Sequence, residues 1–379
     1  MSFAIQSNSA VISGTGLWIP EHSISNEELV DAYNRFAEQF NADNANAIAI
    51  GEIKEKPLSS TNFIAKASGI LSRYVLCKDG ILDINRMRPK FAHRAIDELS
   101  QQAEMATNAA KAAMLDAKKS AMDIDAVIVS CANTQRPYPA IAIEVQNELG
   151  IQGFGFDMLV ACSAGTFALQ RAYEMVIAQT AKCILVINPE LASPQINYKD
   201  RDSHFIFGDV ATATIVETAE NAISEHQYAI LGTKAFTQFS NNIRSDSSFV
   251  ARATDIDLFA EEHLFRQQGH KVFKEICPLA ADHITQHLTE LGIENSQIKR
   301  WWLHQANINM NQLITKKLLG RKSSLEEAPI VLERFANTGS AGSIVAFNLH
   351  NKDLKSGDLG LICSFGAGYS IGSLALKKR

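Results

Sequence analysis

Blocks of apolar and polar positions alternate along the chain, and the period of each block indicates its element. "AVISGTGLWIP" (10–20) reads as a strand running into a turn. Residues 31–66 are polar and irregular, with "NADNANAIAIGEIKEKPLSSTN" in the middle. They are expected to form an inserted helical or loop segment, near 31–60, lying over the surface. The alanine-rich stretch "HRAIDELSQQAEMATNAAKAAMLDA" (93–117) predicts one long helix. "DAVIVSCAN" (125–133) predicts a buried strand, and "YPAIAIEVQNELG" (138–150) a helix closed by Gly150. In "DMLVACSAGTFAL" (157–169), Met158, Leu159 and Val160 read as the end of a buried strand. Ser163, Ala164 and Gly165 are small enough for a tight turn, and helical spacing follows from Thr166 to Met175. "CILVINPE" (183–190) and "ATATIVE" (211–217) are further strands. Strand and helix alternate, so a parallel-type sheet covered by helices is expected.

The second half repeats the rhythm. "HKVFKEICPLAADHITQHLTELG" (270–292) predicts a helix interrupted near Pro278, and "RWWLHQ" (300–305) a short strand. "INMNQLITKKLLG" (308–320) and "AGSIVAFNLHN" (341–351) predict helices, and "LGLICSFGAG" and "SIGSLALKK" closing strands. At 379 residues the chain suits two domains or one large duplicated one. No low-complexity linker divides it. The economical arrangement is a pseudo-duplicated α/β protein with layered helices and sheets, with one half over 1–220 and the other over 221–379. Gly14 and Gly16 suggest a dinucleotide loop, but Trp18, Ile19 and Pro20 follow instead of a third glycine opening a helix, which rejects it.

Bulk composition narrows the function classes. Hydrophobic residues make up 46% and charged residues 20%, the profile of an ordinary globular protein. A net charge of -5 gives no reason to expect nucleic acid as a partner. "MSFAIQSNSAVISGTG" lacks the pattern of an export signal, and no apolar run is long enough to span a bilayer, so no membrane role is expected. The six cysteines form no C-x-x-C pair, so no metal site is expected, and reduced thiols in the cytoplasm are the default.

Candidate chemistry begins at Cys162, placed where a strand meets a helix N-terminus. Unpaired N–H groups there are expected to lower the thiol pKa and to hold an oxyanion once an acyl group sits on sulfur. A cysteine between Ala161 and Ala164 also reads as core filler. His304 ends the apolar strand of "WWLHQANIN" (301–309), where it either reaches a cleft or sits satisfied in the core. Asn337 lies in a small-residue loop of "ERFANTGSAGSIVAF" (333–347), where it could equally cap the next helix. Gly366 and Gly368 in "SFGAGYSIGSLAL" (364–376) let a backbone turn approach a reaction centre.

Taken together, "ACSAGTFAL", "FGDVATATIV" (207–216), "HQAN" (304–307), "NTGSAGS" (337–343) and "FGAGYSIGS" (365–373) resemble the β-ketoacyl-acyl carrier protein synthase III family of the thiolase-fold superfamily. The resemblance runs over nearly the whole chain, from "GTGLWIP" to "GSLALKK". It implies a thiolase-like αβαβα core and a two-step decarboxylating Claisen condensation. In that scheme Cys162 takes an acyl group from acyl-CoA. His304 and Asn337 then bind the malonyl thioester carbonyl during decarboxylation on acyl carrier protein. The backbone N–H groups of Cys162 and Ala367 would hold the oxyanion, Phe63, Arg73 and Asn307 would contact CoA, and Tyr138 from a partner subunit would cap the acyl pocket. Lys274, Lys316 and Lys317 would dock the carrier. The resemblance further implies a homodimer and no cofactor beyond the substrates.

The sequence also departs from the family. The stretch that usually holds the CoA adenine is "FIAKASGILSR" (63–73), with Phe63 for the family's tryptophan and Ala67 for its arginine. Asn309 replaces a further arginine after "HQAN". Weaker gripping of the CoA headgroup favours compensation by a longer acyl chain, at about 0.8 kcal/mol per buried methylene. A medium-chain primer, around octanoyl, is therefore expected over acetyl. The readings that compete are a condensing enzyme of a polyketide-type pathway or other acyl transferase, a degradative thiolase, a papain-like protease, an acyl-CoA hydrolase and a non-catalytic partner subunit. Cys363 sits within a strand-like run and not in a thiolase's acid/base loop. The papain-type C-G-S-C-W context is absent. Silent subunits usually lack the nucleophile.

Overall fold

The computed structural model describes residues 9–257 and 259–379. Residues 1–8, part of the stretch read for an export signal, lie outside the described residues. Strand β1 (Ala10–Trp18) leads to the short β2 (His22–Ser25). Ser25 then caps helix α1 (Asn26–Asp43): its side chain accepts from the Glu28 N–H while Glu28 accepts from the Ser25 N–H, a reciprocal capping box. Leu29, Ala32, Tyr33 and Ala37 form the buried face of α1. The 31–60 segment is thus largely helical and contributes to a core. After α2 (Ala45–Ala49) the chain returns in extended form. Asn41 and Asn34 clamp the return through paired side-chain bonds to the backbones of Lys56 and Ser59. Helix α3 (Thr61–Ser68), capped by Ser60, and strand β3 (Ser72–Val75), paired with β2, complete this unit.

Helix α4 (Gln101–Ala117) starts at its Ser100 cap and not at residue 93, because the Ser100 side chain accepts the Ala103 N–H and ends the irregular stretch before it. Gly14 and Gly16 serve packing: a Cβ on Gly16 would fall 2.1 Å from the Ala109 carbonyl oxygen of α4. Strand β4 (Ala126–Cys131), helix α5 (Ile141–Leu149) and strand β5 (Phe154–Leu159) follow. Asp157 of β5 accepts the Ile141 and Ala142 N–H groups, each at 2.8 Å, and so caps α5. Contrary to the expectation of a buried strand, β5 is the sheet edge, and Leu159 is 53% exposed. Helix α6 (Ala164–Ile177) and strands β6 (Cys183–Glu190), β7 (Val210–Thr218) and β8 (Tyr228–Ser240) complete the first passage.

A two-residue ribbon, β9 (Ile243–Arg244) with β10 (Arg266–Gln267), precedes helix α7 (Gly269–Glu290). This helix runs unbroken through Pro278, correcting the expected interruption: the proline removes one N–H, and the surrounding turns carry the helix across. Strand β11 (Ile298–Leu303), helices α8 (Ile308–Leu319), α9 (Leu332–Phe335) and α10 (Gly342–Leu349), and strands β12 (Leu359–Gly366) and β13 (Gly368–Lys378) end the chain.

The nine long strands form one sheet in the order β11-β12-β13-β8-β1-β7-β6-β4-β5. It is mixed and not parallel, because only β4–β5, β4–β6 and β11–β12 run parallel. The duplication shows in the pairing. β4–β6 is parallel, then β6–β7 and β7–β1 are antiparallel; β11–β12 is parallel, then β12–β13 and β13–β8 are antiparallel. The two series meet at the antiparallel β1–β8 pair. Helices α6 and α10 share one core with strands of both series, including Ile128, Val186, Ile362 and Leu374. Helices α4 and α5 cover the outer face of the first series, and α7 and α8 that of the second. The two series of this one sheet are therefore separate layers, with α6 and α10 between them, α4 and α5 outside the first and α7 and α8 outside the second. The carboxyl ends of the parallel strands of both series open toward one region, where an α/β sheet places its ligand sites.

Candidate active site

Cys162 lies in a single helical turn, Ala161–Ser163, between β5 and α6. Ala161, before it, has φ 43°, and Ala336, before Asn337, has φ 56°. Both are alanines in a region that normally takes glycine, and strain of this kind persists where the surroundings enforce it. The nucleophile turn is tied to the β12–β13 turn: Ser163 Oγ donates to the Ser370 carbonyl at 2.9 Å, and Ser370 Oγ donates to the Ala367 carbonyl at 2.8 Å. Gly366 packs against the cysteine so tightly that a Cβ there would sit 2.5 Å from Cys162 Cβ and 2.9 Å from its sulfur. The backbone N–H groups of Ala367 and of Cys162 itself act on the thiol in the sense that favours the thiolate.

The thiol is not drawn toward neutrality as the helix N-terminus alone suggests. Burial first, and the negative charge of Glu190 second, push it up to about 12, against the two N–H groups that favour the thiolate. Burial and the Glu190 charge both favour the thiol form of Cys162.

His304 follows β11, its N–H donating to the Cys363 carbonyl at 2.8 Å and its ring meeting Phe365 edge-on at 5.2 Å. Burial holds the pKa of His304 down to about 4, so its imidazole is neutral at physiological pH and can donate a hydrogen bond without carrying charge. Its Nδ1 is sealed in protein without a partner, which leaves Nε2 for the cavity. Asn337 accepts the Gly339 N–H on Oδ1 at 3.0 Å, leaving its Nδ2 as a free donor. Cys162, His304 and Asn337 all line one cavity of about 520 Å³, with Phe63 and Ala67 among its other lining residues and Ile206, Phe207, Phe273 and Phe365 among its apolar walls. That volume lies in the range of small-molecule sites. Two donors, a nucleophile and two backbone N–H groups in one apolar cavity can stabilise negative charge on two different oxygens.

The other predicted residues divide. Phe63 and Asn307 line the cavity. Both ends of the Asn307 amide are engaged, however, capping α8 through the Asn309 N–H and donating to the Ala67 carbonyl. Arg73 is not a cavity residue: it is buried, and its guanidinium donates to the carbonyls of Ile24 and Phe205 and to Asn26 Oδ1. The apolar β3 alternation around it turns it inward, so it braces the small α1–β3 unit. Tyr138 is 81% exposed and lines no part of the cavity of its own chain. Lys274 on α7 and Lys316 and Lys317 on α8 are exposed on two helices that pack together.

Two residues escaped sequence reasoning. Arg201 lays its guanidinium over the Phe63 ring at 3.8 Å, and its Nε donates to the Leu58 carbonyl in the return from the inserted segment. Glu190 is buried at the end of β6. The only local signal for Glu190 was a charge at the end of a hydrophobic run, and Arg201 lies in the mixed-charge stretch "KDRD".

The family description "3-Oxoacyl-(acyl-carrier-protein (ACP)) synthase III" matches residues 156–237, and the description of its C-terminal part matches residues 288–378. A β-ketodecanoyl-(acyl-carrier-protein) synthase from Pseudomonas aeruginosa is 52% identical over 349 residues, covering 92% of this chain and 100% of that protein. The crystal structure of 3-oxoacyl-(acyl-carrier-protein) synthase III from Aquifex aeolicus superposes with a TM-score of 0.76 at 23% identity, over 97% of this chain and 99% of the other. The priming β-ketosynthase of the R1128 polyketide pathway superposes with a TM-score of 0.78 at 20% identity, over 98% and 96%. At those identities the two structures speak for the fold.

Proposed function

The chain belongs to the 3-oxoacyl-(acyl-carrier-protein) synthase III family, and from that premise we propose that it condenses a medium-chain acyl-CoA with malonyl-acyl carrier protein. The observation that carries the reading is one cavity lined by Cys162, His304 and Asn337, with the Gly366 backbone packed against the Cys162 sulfur. Cys162 Sγ attacks the acyl-CoA thioester carbonyl. The oxyanion forms against the Cys162 and Ala367 N–H groups, the C–S bond to CoA breaks, and the thiol proton departs with CoA. Malonyl-carrier protein then enters. Its thioester oxygen accepts hydrogen bonds from His304 Nε2 and Asn337 Nδ2, carbon dioxide leaves, and the negative charge develops on that oxygen. The new carbanion attacks the acyl-Cys162 carbonyl, and the C–S bond breaks. The 3-oxoacyl product stays on the carrier, and the thiolate regains a proton from water.

Primer length follows from the relative's name. Condensation adds two carbons, so a ketodecanoyl product is built on an eight-carbon primer. Arg201, stacked on Phe63, supplies a flat cation for CoA where Ala67 lacks one. The reading includes a homodimer, because Tyr138 can cap an acyl pocket only in a second copy. It also includes carrier docking on Lys274, Lys316 and Lys317, and residence in the cytoplasm. No helix among the described residues is long and apolar enough to cross a membrane.

Intact-mass measurement after incubation with acetyl-, butyryl-, octanoyl- and decanoyl-CoA tests the reading. Octanoyl transfer to Cys162 should be fastest, and malonyl-carrier protein should then yield 3-oxodecanoyl-carrier protein. A maximum at acetyl would overturn the primer assignment. An adduct that malonyl-carrier protein does not consume would overturn the condensation.

A further inference from the structure

Glu190 has no part in the chemistry above, yet it binds the turn that carries Asn337. Its Oε1 accepts three hydrogen bonds: from the Ala132 N–H at 2.9 Å, the Ser340 N–H at 3.0 Å and the Ser340 hydroxyl at 2.5 Å. Ala132 begins the loop that leads from β4 to Tyr138. Ser340 belongs to the turn that starts at Asn337. Gly339 in that turn has φ 54°, and a Cβ on it would lie 2.8 Å from Glu190 Oε2. The nucleophile helix closes the other side, where a Cβ on Gly165 would lie 2.7 Å from the Ser340 carbonyl oxygen. The Asn337–Ser340 turn is thus held between a carboxylate and the first turn of α6.

We propose that Glu190 is a positioning residue of the condensation site: it clamps the Asn337 turn against the nucleophile helix and buries a carboxylate against that turn. The titratable groups around it are Cys162, Cys131 at the end of β4, and Asp209 at the start of β7. Its charge raises both thiols, and Asp209 in turn disfavours its ionisation. Burial, opposed by the three donors, brings Glu190 itself up to about 7, so the carboxylate charge builds from neutrality upward. A thiol kept protonated in this way resists adventitious oxidation and alkylation until an acyl thioester arrives.

The proposal rests on the roles assigned to Cys162 and Asn337, and its first readout needs no acyl substrate. The rate of iodoacetamide alkylation of Cys162 is followed by intact mass from pH 6 to 10. Glu190→Gln keeps an Oε1 for all three donors and removes the charge, so its profile should move to lower pH by about one unit. Glu190→Ala loses the clamp as well and should decarboxylate malonyl-carrier protein more slowly than Glu190→Gln, by tenfold or more, with KM for acyl-CoA little changed. Glu190→Asp, which keeps the charge, should retain the wild-type alkylation profile and serves where Glu190→Gln melts early. Coincident alkylation profiles for the wild type and Glu190→Gln would overturn the buried carboxylate charge. Equal decarboxylation by the wild type and Glu190→Ala would overturn the clamp. If alkylation shifts as expected while no acyl-Cys162 ever forms, the function proposed for the site fails and the buried carboxylate stands.

Discussion

Gly366→Ala should stop acylation while leaving the fold intact. The added methyl would sit 2.5 Å from Cys162 Cβ and 2.9 Å from Sγ, whereas carbon atoms in contact settle at about 3.5–4.0 Å. Either Cys162 or the 366–368 turn must therefore move by about 1 Å. Moving the sulfur spoils its approach to the thioester, and an error of about 1 Å in a reacting atom costs about a hundredfold. Moving the turn instead withdraws the Ala367 N–H from the oxyanion, and losing one such donor costs about a hundred- to a thousandfold. Both routes slow acylation by at least about a hundredfold, or about 2.7 kcal/mol in the barrier. Rapid-quench mixing with octanoyl-CoA, read by intact mass in a single turnover, measures the step alone, and a thermal melt checks the fold. Acylation within about threefold of wild type, in a variant of native-like melting temperature, would refute the argument that this turn and the sulfur are held at contact distance.

Further outcomes follow from the same geometry. His304→Ala and Asn337→Ala should each acylate Cys162 normally yet lose malonyl decarboxylation by about a hundredfold or more; parallel loss of acylation, seen by intact mass, would contradict the division of labour. Lys316→Glu with Lys317→Glu should raise KM for malonyl-carrier protein and leave acyl-CoA transfer unchanged. The difference from wild type should shrink as salt rises, and a salt-independent KM would place docking elsewhere. Thermal stability should fall as pH drops from 6.5 toward 4. Burial holds His204, His283, His287 and His304 down to about 4, so in this window the unfolded chain, with histidines near 6.5, binds more protons. Glu190 and Asp209, whose pKa values are raised, act in the opposite sense, outnumbered by these histidines, by His350 and by carboxylates held low such as Glu144 and Glu327; a melting temperature that rises over this pH range would reverse the balance.

The strands and most helices were legible because their periods are local. Ser100 shows why helix starts were less so: alanine-rich spacing extends back to residue 93, but the hydroxyl that accepts the Ala103 N–H sets the true beginning. The capping box of Ser25 and Glu28 was also present in the sequence, masked by the polar run that follows it. Cys162, His304 and Asn337 stood out through their loops, and the structure brings all three to one cavity. Arg73 misled, because a charged residue on a short strand gives no sign of which way it points until its three acceptors, from β2, α1 and the loop before β7, are assembled. Glu190 was invisible for the same reason. Its partners lie 58 and 150 positions away, and no period along the chain encodes a meeting of that kind. The raised thiol pKa belongs in this group too, since it depends on how much protein surrounds the sulfur.

The sheet order carries a consequence for how the protein is made. β13, which follows all the other strands along the chain, does not sit at an edge: it slots between β12 and β8. Until residues 368–378 emerge, β8 and β12 face a gap with unpaired backbone on both sides. Ala367, which closes over the Cys162 sulfur, has nothing to anchor its turn. A chain stalled before Gly368 thus holds a complete nucleophile helix, His304 and Asn337, but no assembled site. The site is completed by the insertion of β13, after the nucleophile, His304 and Asn337 are already in the chain.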